Sequence, residues 1–253
     1  MARVKDILAY LDELLEPGAF DDYGPNGLQV PGAAEVTTVA TCVSAHRELI
    51  ERATARGAQL LLAHHGIIWD FQPRRISRLQ ATRLRLLLQA DLNLAMYHLP
   101  LDAHPEVGNN ALIANGLGGS QLAPFGEHRG RAIGVQTRFP GDGLPAAELF
   151  ARVQALTDRE PLVFAGGPPL VRTLGVISGA AASSIAEAIE LGLDAFLTGE
   201  PAEHAMAAAL EGGVHFIAAG HYATETFGIR RIGDLVAERF DIEHAFIDVP
   251  NPV

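Results

Sequence analysis

Two short apolar runs, Thr38 to Val43 and Gln59 to Ala63, flank a segment from Glu48 to Arg56 that has helical spacing and is closed by Gly57. Apolar runs without polar alternation belong to strands covered on both faces, and strand, helix and strand in that order make a parallel βαβ unit. No other pattern restricts the chain as much, because it requires a sheet with helices packed on it, an α/β fold. The second run leads directly into His64-His65-Gly66. Ligands of open α/β sheets gather at the carboxyl ends of strands, so a histidine pair there marks a candidate site.

The unit recurs. Arg172 to Gly179, a helix from Ser184 to Leu191 and Asp194 to Glu200 repeat the order, and matching Val43 to Ile177 also matches Leu62 to Phe196 without a gap. Ala95 to Asp102 likewise aligns with Ala218 to Glu225. Each half then has a strand ending in His-x-x-x-carboxylate, His98 with Asp102 and His221 with Glu225. The expectation is two similar α/β lobes with mixed sheets flanked by helices, pseudo-twofold related, with the site in the cleft between them. One lobe is expected over residues 1–126, with His64, His65 and Asp102, and the other over 127–253, with His221 and Glu225. The boundary is placed in Gln121 to Gly130, where the pattern dissolves into Pro, Gly and charge.

Elsewhere, Val4 to Leu15 has helical spacing that Pro17-Gly18 ends. Phe20 to Val30 is rich in turn residues and leads into a short strand, with Asp22 and Asn26 read first as turn-stabilising side chains and a contact with a site left as the alternative. A helix is expected from Ser77 to Ala90, a strand from Leu92 to Met96, a helix from Asn109 to Asn115, a strand from Ala132 to Phe139, a helix from Pro145 to Leu156 and a strand from Leu162 to Phe164.

The imidazoles of His64, His65 and His221 with the carboxylates of Asp102 and Glu225 exceed the needs of one tetrahedral zinc site and suit two bridged metals. Neutral imidazole and carboxylate fit Zn, Fe, Mn, Co or Ni, and the lack of thiolates argues against an iron-sulfur cluster. Two ions about 3.5–4 Å apart would make a bridging water a hydroxide near neutral pH, a hydrolytic nucleophile, although the same arrangement serves as a metal store. His98 is either a further ligand or a hydrogen-bond donor that holds Asp102. His104, His128, His204, His215 and His244 read as structural or surface residues, and Glu200 as a helix-terminal acid with a second role, orienting a ligand, left open. Arg74, Arg75, Arg78, Arg83 and Arg85 lie in a stretch without an acid, Phe71 to Ala90, which reads as a solvated helix face or subunit contact, or else as a lure for an anionic substrate.

A net charge of -11 argues against a nucleic-acid partner. A single cysteine, Cys42, beside ten histidines suits a reducing, cytoplasmic setting. The acidic amphipathic N-terminal segment is unlike a signal peptide, and no apolar run approaches the roughly 18 residues of a membrane span.

Over nearly its full length the chain resembles the Nif-three-like dinuclear-metal-centre hexameric proteins, also named GTP cyclohydrolase 1 type 2 homologues. The motifs that carry the resemblance are Asn26-Gly-Leu-Gln-Val30, Ala63-His-His-Gly66, His98 to Pro105 with Gly108-Asn-Asn110, Thr198-Gly-Glu200 and Gly220-His-Tyr-Ala-Thr-Glu225. The closing Phe246 to Pro252 fits the same family, and the length fits its compact form. The resemblance implies that His64, His65, Asp102, His221 and Glu225 bind two divalent metal ions, and that the chain forms a homohexameric ring. The activity expected is that of a metal-dependent hydrolase on a small molecule, with GTP ring opening the named candidate. The competing expectation is a non-catalytic metal-binding scaffold, store or regulatory partner.

Overall fold

A computed structural model describes the chain from Met1 to Val253. It is an α/β fold with mixed sheets. The residues group into two compact units, Met1–Leu101 with Gly228–Val249, and Asp102–Phe227 with Pro250–Val253.

The first unit is built on a five-stranded sheet in the order Glu243–Phe246, Thr38–Ser44, Leu60–His65, Asn93–Met96 and Gly27–Val30. The first four strands are parallel to their neighbours, and Gly27–Val30 closes the edge antiparallel. Leu60, Leu61 and Leu62 are all fully buried, as an unalternating run must be when both sheet faces are covered. The Arg47–Ala55 helix turns Leu49, Ile50 and Ala53 into the core that holds Ala40, Cys42, Leu61 and Ala63. The expected helix after Ser77 is Arg78–Gln89, capped by a reciprocal box in which Ser77 and Gln80 satisfy each other's backbone N–H groups. The amino-terminal helix, Val4–Leu15, buries Ile7, Leu11 and Leu15 at a spacing of one turn.

The second unit holds a six-stranded sheet in the order Leu162–Ala165, His215–Ala218, Ala195–Thr198, Thr173–Val176, Arg131–Arg138 and Ser120–His128. Its three middle strands, Thr173–Val176, Ala195–Thr198 and His215–Ala218, are parallel, in the strand order that Thr38–Ser44, Leu60–His65 and Asn93–Met96 have in the first sheet. Neighbouring residues of the central strand serve opposite faces. Ala195 and Leu197 pack with Leu149 and Val153, and Phe196 packs with Ile185, Ala188, Ala205 and Ala209.

Two sequence expectations are corrected. Gln121 to Gly130 is no linker, since most of it is the Ser120–His128 strand, paired antiparallel with Arg131–Arg138. The turn between them is Arg129-Gly130, both at positive φ (49° and 84°), the geometry of a two-residue hairpin turn, but with arginine where asparagine is usual. Pro124 sits within the strand because that strand is the sheet edge, where a missing N–H is tolerated. A division at 126/127 therefore falls inside a strand. The chain divides instead at Leu101 and Asp102, and Gly228–Val249 returns to the first unit because Glu243–Phe246 adds in parallel to Thr38–Ser44. Asp102 accordingly groups with the second unit. No helix is long and apolar enough to cross a membrane.

Candidate metal centre

Within the first unit, three histidines meet at the carboxyl ends of two adjacent parallel strands. His64 and His65 end Leu60–His65, and His98 follows Asn93–Met96 by two residues. Alternation would send His64 and His65 to opposite faces, yet their ring centroids are 4.7 Å apart. The strand stops at His65, and the chain turns at Gly66, where an added Cβ would run into the side-chain amide of Gln29. His98 lies 5.1 Å from His64 and 5.4 Å from His65 between ring centroids. Each of the three offers a nitrogen within 4.8 Å of the others'.

Each ring is held through Nδ1. His64 Nδ1 donates to the Tyr97 carbonyl at 3.1 Å, His98 Nδ1 donates to Asp22 Oδ1 at 2.7 Å, and His65 Nδ1 is 2.9 Å from Ser44 Oγ. The parallel register that sets Ser44 opposite His65 makes the last contact. For His64 and His98, whose partners can only accept, this puts the proton on Nδ1 and leaves Nε2 as the ligating nitrogen, the arrangement typical of metal-binding histidines, while Ser44 orients the His65 ring. The donor set thus fits a borderline divalent ion and could hold one.

Asp22, which in the sequence reads first as a turn residue, is the anchor of His98. Its carboxylate is 3% exposed and accepts from Tyr23 N–H, Asn26 Nδ2, His98 Nδ1 and Leu99 N–H, at 2.6, 2.8, 2.7 and 3.0 Å. Burial raises the Asp22 pKa, but the bonds from His98, Asn26 and the Tyr23 backbone outweigh it and hold the carboxyl below its ordinary value of 3.8. Asn26 completes the arrangement by accepting from His98 N–H at 2.8 Å. The Asn26-Gly-Leu-Gln-Val30 motif was the available signal, with Asp22 just ahead of it.

The other expected ligands lie in the second unit. Asp102 is buried, and its Oδ1 accepts from Asn109 Nδ2 at 2.8 Å and from Ser178 Oγ at 2.9 Å. Asn110 ties the same segment down, donating to the Asp102 carbonyl at 3.2 Å and accepting from Ser178 N–H at 2.7 Å. This accounts for the paired asparagines of the sequence motif. His221 and Glu225 meet as the one-turn spacing requires, with Nε2 3.1 Å from Glu225 Oε2, and Glu225 is almost fully buried. His221 Nδ1 binds Glu200 Oε1 at 2.5 Å, so Glu200 orients this ring. Burial alone would lower the His221 pKa, but Glu225 and then Glu200 push it up to about 9. Gly179, at φ +67°, lies against this pair, and a Cβ there would come within 2.5 Å of Glu225 Oε1. Only glycine meets both demands.

The remaining histidines include several with structural duties. His215 bonds the Pro168 carbonyl and Gly167 N–H, His104 accepts from the backbone of Glu106 and Val107, and His244 bridges Thr41 and Asp234.

An α/β protein with three anchored imidazoles at its strand ends is, as a class, a candidate divalent-metal protein. Residues 2–252 match the family described as Duf34/NIF3 (NGG1p interacting factor 3), and the chain belongs to that family. Its relatives include a GTP cyclohydrolase 1 type 2 homolog of Deinococcus radiodurans, 42% identical over 245 residues, covering 97% of this chain and 92% of that protein. Another of the same name from Escherichia coli K12 is 40% identical, with 96% of each chain covered. Among solved structures, protein ybgI, described as of unknown function, superposes with a TM-score of 0.93 at 37% identity, and TTHA1606 from Thermus thermophilus with 0.91 at 34%, each over the whole of both chains.

Proposed function

We propose that this chain is a metal-dependent hydrolase of small molecules, working from a dinuclear centre, with a GTP cyclohydrolase-type reaction as the named candidate. The observation that carries the reading is the anchoring of His64, His65 and His98, each through Nδ1. Anchored rings meet an ion without first losing rotamer freedom. A divalent ion held there supplies Lewis acidity and lowers the pKa of a bound water to near neutrality. Asp102, His221 and Glu225 are proposed as the further ligands, on the sequence motifs they occupy. Of the two roles open to His98, ligand or holder of Asp102, the first is proposed, because its Nδ1 partner is Asp22. Relatives named as GTP cyclohydrolase 1 type 2 homologs support the choice of GTP as first substrate. A homohexameric assembly and a cytoplasmic setting belong to the same proposal.

The test has two stages. Metal analysis of reconstituted protein should give two ions per chain, with occupancy reduced in His64→Ala and His221→Ala. Fewer than two ions in the parent protein removes the dinuclear reading. The loaded protein is then assayed against GTP and a panel of phosphate esters, amides and cyclic amidines. Full metal loading without turnover of any of them would favour the scaffold or store reading. Solution mass by light scattering decides the hexamer.

A further inference from the structure

The segment between His65 and the Arg78–Gln89 helix has no part in metal binding as described, yet it presents the only tryptophan, Trp69, to the histidine cluster. The Trp69 ring meets His98 edge-on at 5.2 Å and lies 6.0 Å from His65. Phe71 stacks on Trp69 at 5.7 Å with 21° between the planes, and it is 72% exposed. The base of this pair is bolted down. Gln29 Oε1 accepts from Ile67 N–H and Ile68 N–H at 2.8 and 3.1 Å, and Asp70 N–H donates to the Tyr23 carbonyl at 2.8 Å. A rigid base under an exposed aromatic ring is what a preformed stacking surface requires. Beyond Phe71 come Arg74 and Arg75, both exposed, in the stretch that holds no acid. Chain reach alone keeps their Cα atoms within about 11–14 Å of Phe71.

We infer that Trp69 and Phe71 form a stacking shelf, beside the histidine cluster, for a planar heteroaromatic ring carrying an anionic group, which Arg74 and Arg75 hold. The inference rests on the proposed metal-dependent function, because the neighbouring His65 and His98 are proposed there to hold the ion that would activate water towards a bound ring. Stacking on an aromatic face tolerates any base, and a guanidinium matches a phosphate with two parallel hydrogen bonds, so a phosphorylated nucleoside is the ligand class both parts suit.

The test uses the metal-loaded full chain, with GTP, guanosine and inorganic triphosphate as separate probes, read by calorimetry and by Trp69 fluorescence. GTP and guanosine should quench the fluorescence. Phe71→Ala should weaken GTP at least about fivefold while leaving inorganic triphosphate unchanged, and Phe71→Tyr should restore the affinity. Replacing Arg74 and Arg75 by alanine should weaken GTP and triphosphate together and spare guanosine. Equal losses for GTP and triphosphate in Phe71→Ala, or no loss, overturn the shelf. So does a Phe71→Ala protein with altered solution mass and unaltered GTP affinity, which would make the ring a subunit contact. Metal content is measured on the same samples. A chain that takes up no metal refutes the metal centre, whereas a loaded chain that binds none of the probes refutes the shelf alone.

Discussion

Replacing Asp22 by asparagine separates an anchored metal ligand from a merely structural histidine. Asp22 Oδ1 accepts from Tyr23 N–H and His98 Nδ1, and Oδ2 from Asn26 Nδ2 and Leu99 N–H. An amide of the same shape can accept at only one of these two positions, so either orientation forfeits two hydrogen bonds to a buried charge. At about 1.5–3 kcal/mol for each such bond, and allowing for relaxation, the metal-free variant should lose roughly 3 kcal/mol. For a chain of this size that is a fall of about 6–12 °C in the melting temperature. If the amide nitrogen faces His98, that ring recovers a bond only by accepting at Nδ1, which puts the proton on Nε2 and removes it as a ligand. Metal affinity, measured by competition with a chromogenic chelator, should then fall about 10–100-fold. A His98→Ala protein whose affinity stays within twofold of the parent would refute the role given to His98. The acid limb gives an independent check. Because the folded Asp22 pKa lies below 3.8, its contribution is present above that value and is lost as pH falls through the depressed pKa. Asp22→Asn should flatten this limb of the stability profile.

In metal-free protein His221 should titrate near pH 9 by NMR, and Glu200→Gln should lower that value. A raised pKa stabilises the folded state fully below 6.5, with the contribution lost as pH rises through about 9, so an alkaline loss of stability should shrink in the same variant. Gly179→Ala should destabilise the protein and shift the His221 titration, because the methyl group would press on Glu225 at a backbone angle that alanine resists. An unaltered titration would show that Gly179 does not set this geometry. Leu61→Ala should cost about 2–5 kcal/mol in denaturant unfolding, and a smaller loss would mean that the core around Leu61 closes over the cavity.

The buried parallel strands were legible because strands covered on both faces are apolar throughout, and the histidine pair because it stands where such a strand ends. The anchors were not. Asp22 reads as a turn residue since nothing local distinguishes it, and its partner His98 is 76 positions away. Ser44 is the last residue of a strand, and only the parallel register sets it beside His65. Glu200 reads in the sequence first as a helix-terminal acid and only second as an orienting group, yet its carboxylate binds His221. The Ser120–His128 strand was hidden by Pro124 and an Arg-Gly turn, two departures that an edge hairpin accommodates. Long-range partners and edge tolerance are properties of the assembled sheet.

Residue types alone would also have favoured a second site in the same unit. Thr41 Oγ1 lies 2.8 Å from His244 Nε2, and His244 Nδ1 lies 2.8 Å from Asp234 Oδ1, the hydroxyl, imidazole and carboxylate order of a nucleophilic triad. Thr41, however, is fully buried in the middle of Thr38–Ser44, so no substrate carbonyl can reach its oxygen. Asp234 is the exposed end of the chain of contacts, with 56% of its side chain accessible, the reverse of a triad in which the carboxylate is buried and the hydroxyl presented. What the three residues do instead is fasten the Glu243–Phe246 edge strand to its neighbour and to the helix Thr226–Phe240. The His64, His65 and His98 cluster differs in direction. There the anchoring groups, the Tyr97 carbonyl, Ser44 and Asp22, all take Nδ1, and the three rings converge on one another at the strand ends where an α/β sheet receives its ligands. Direction and access, more than the inventory of side chains, decide which histidines serve chemistry and which serve the fold.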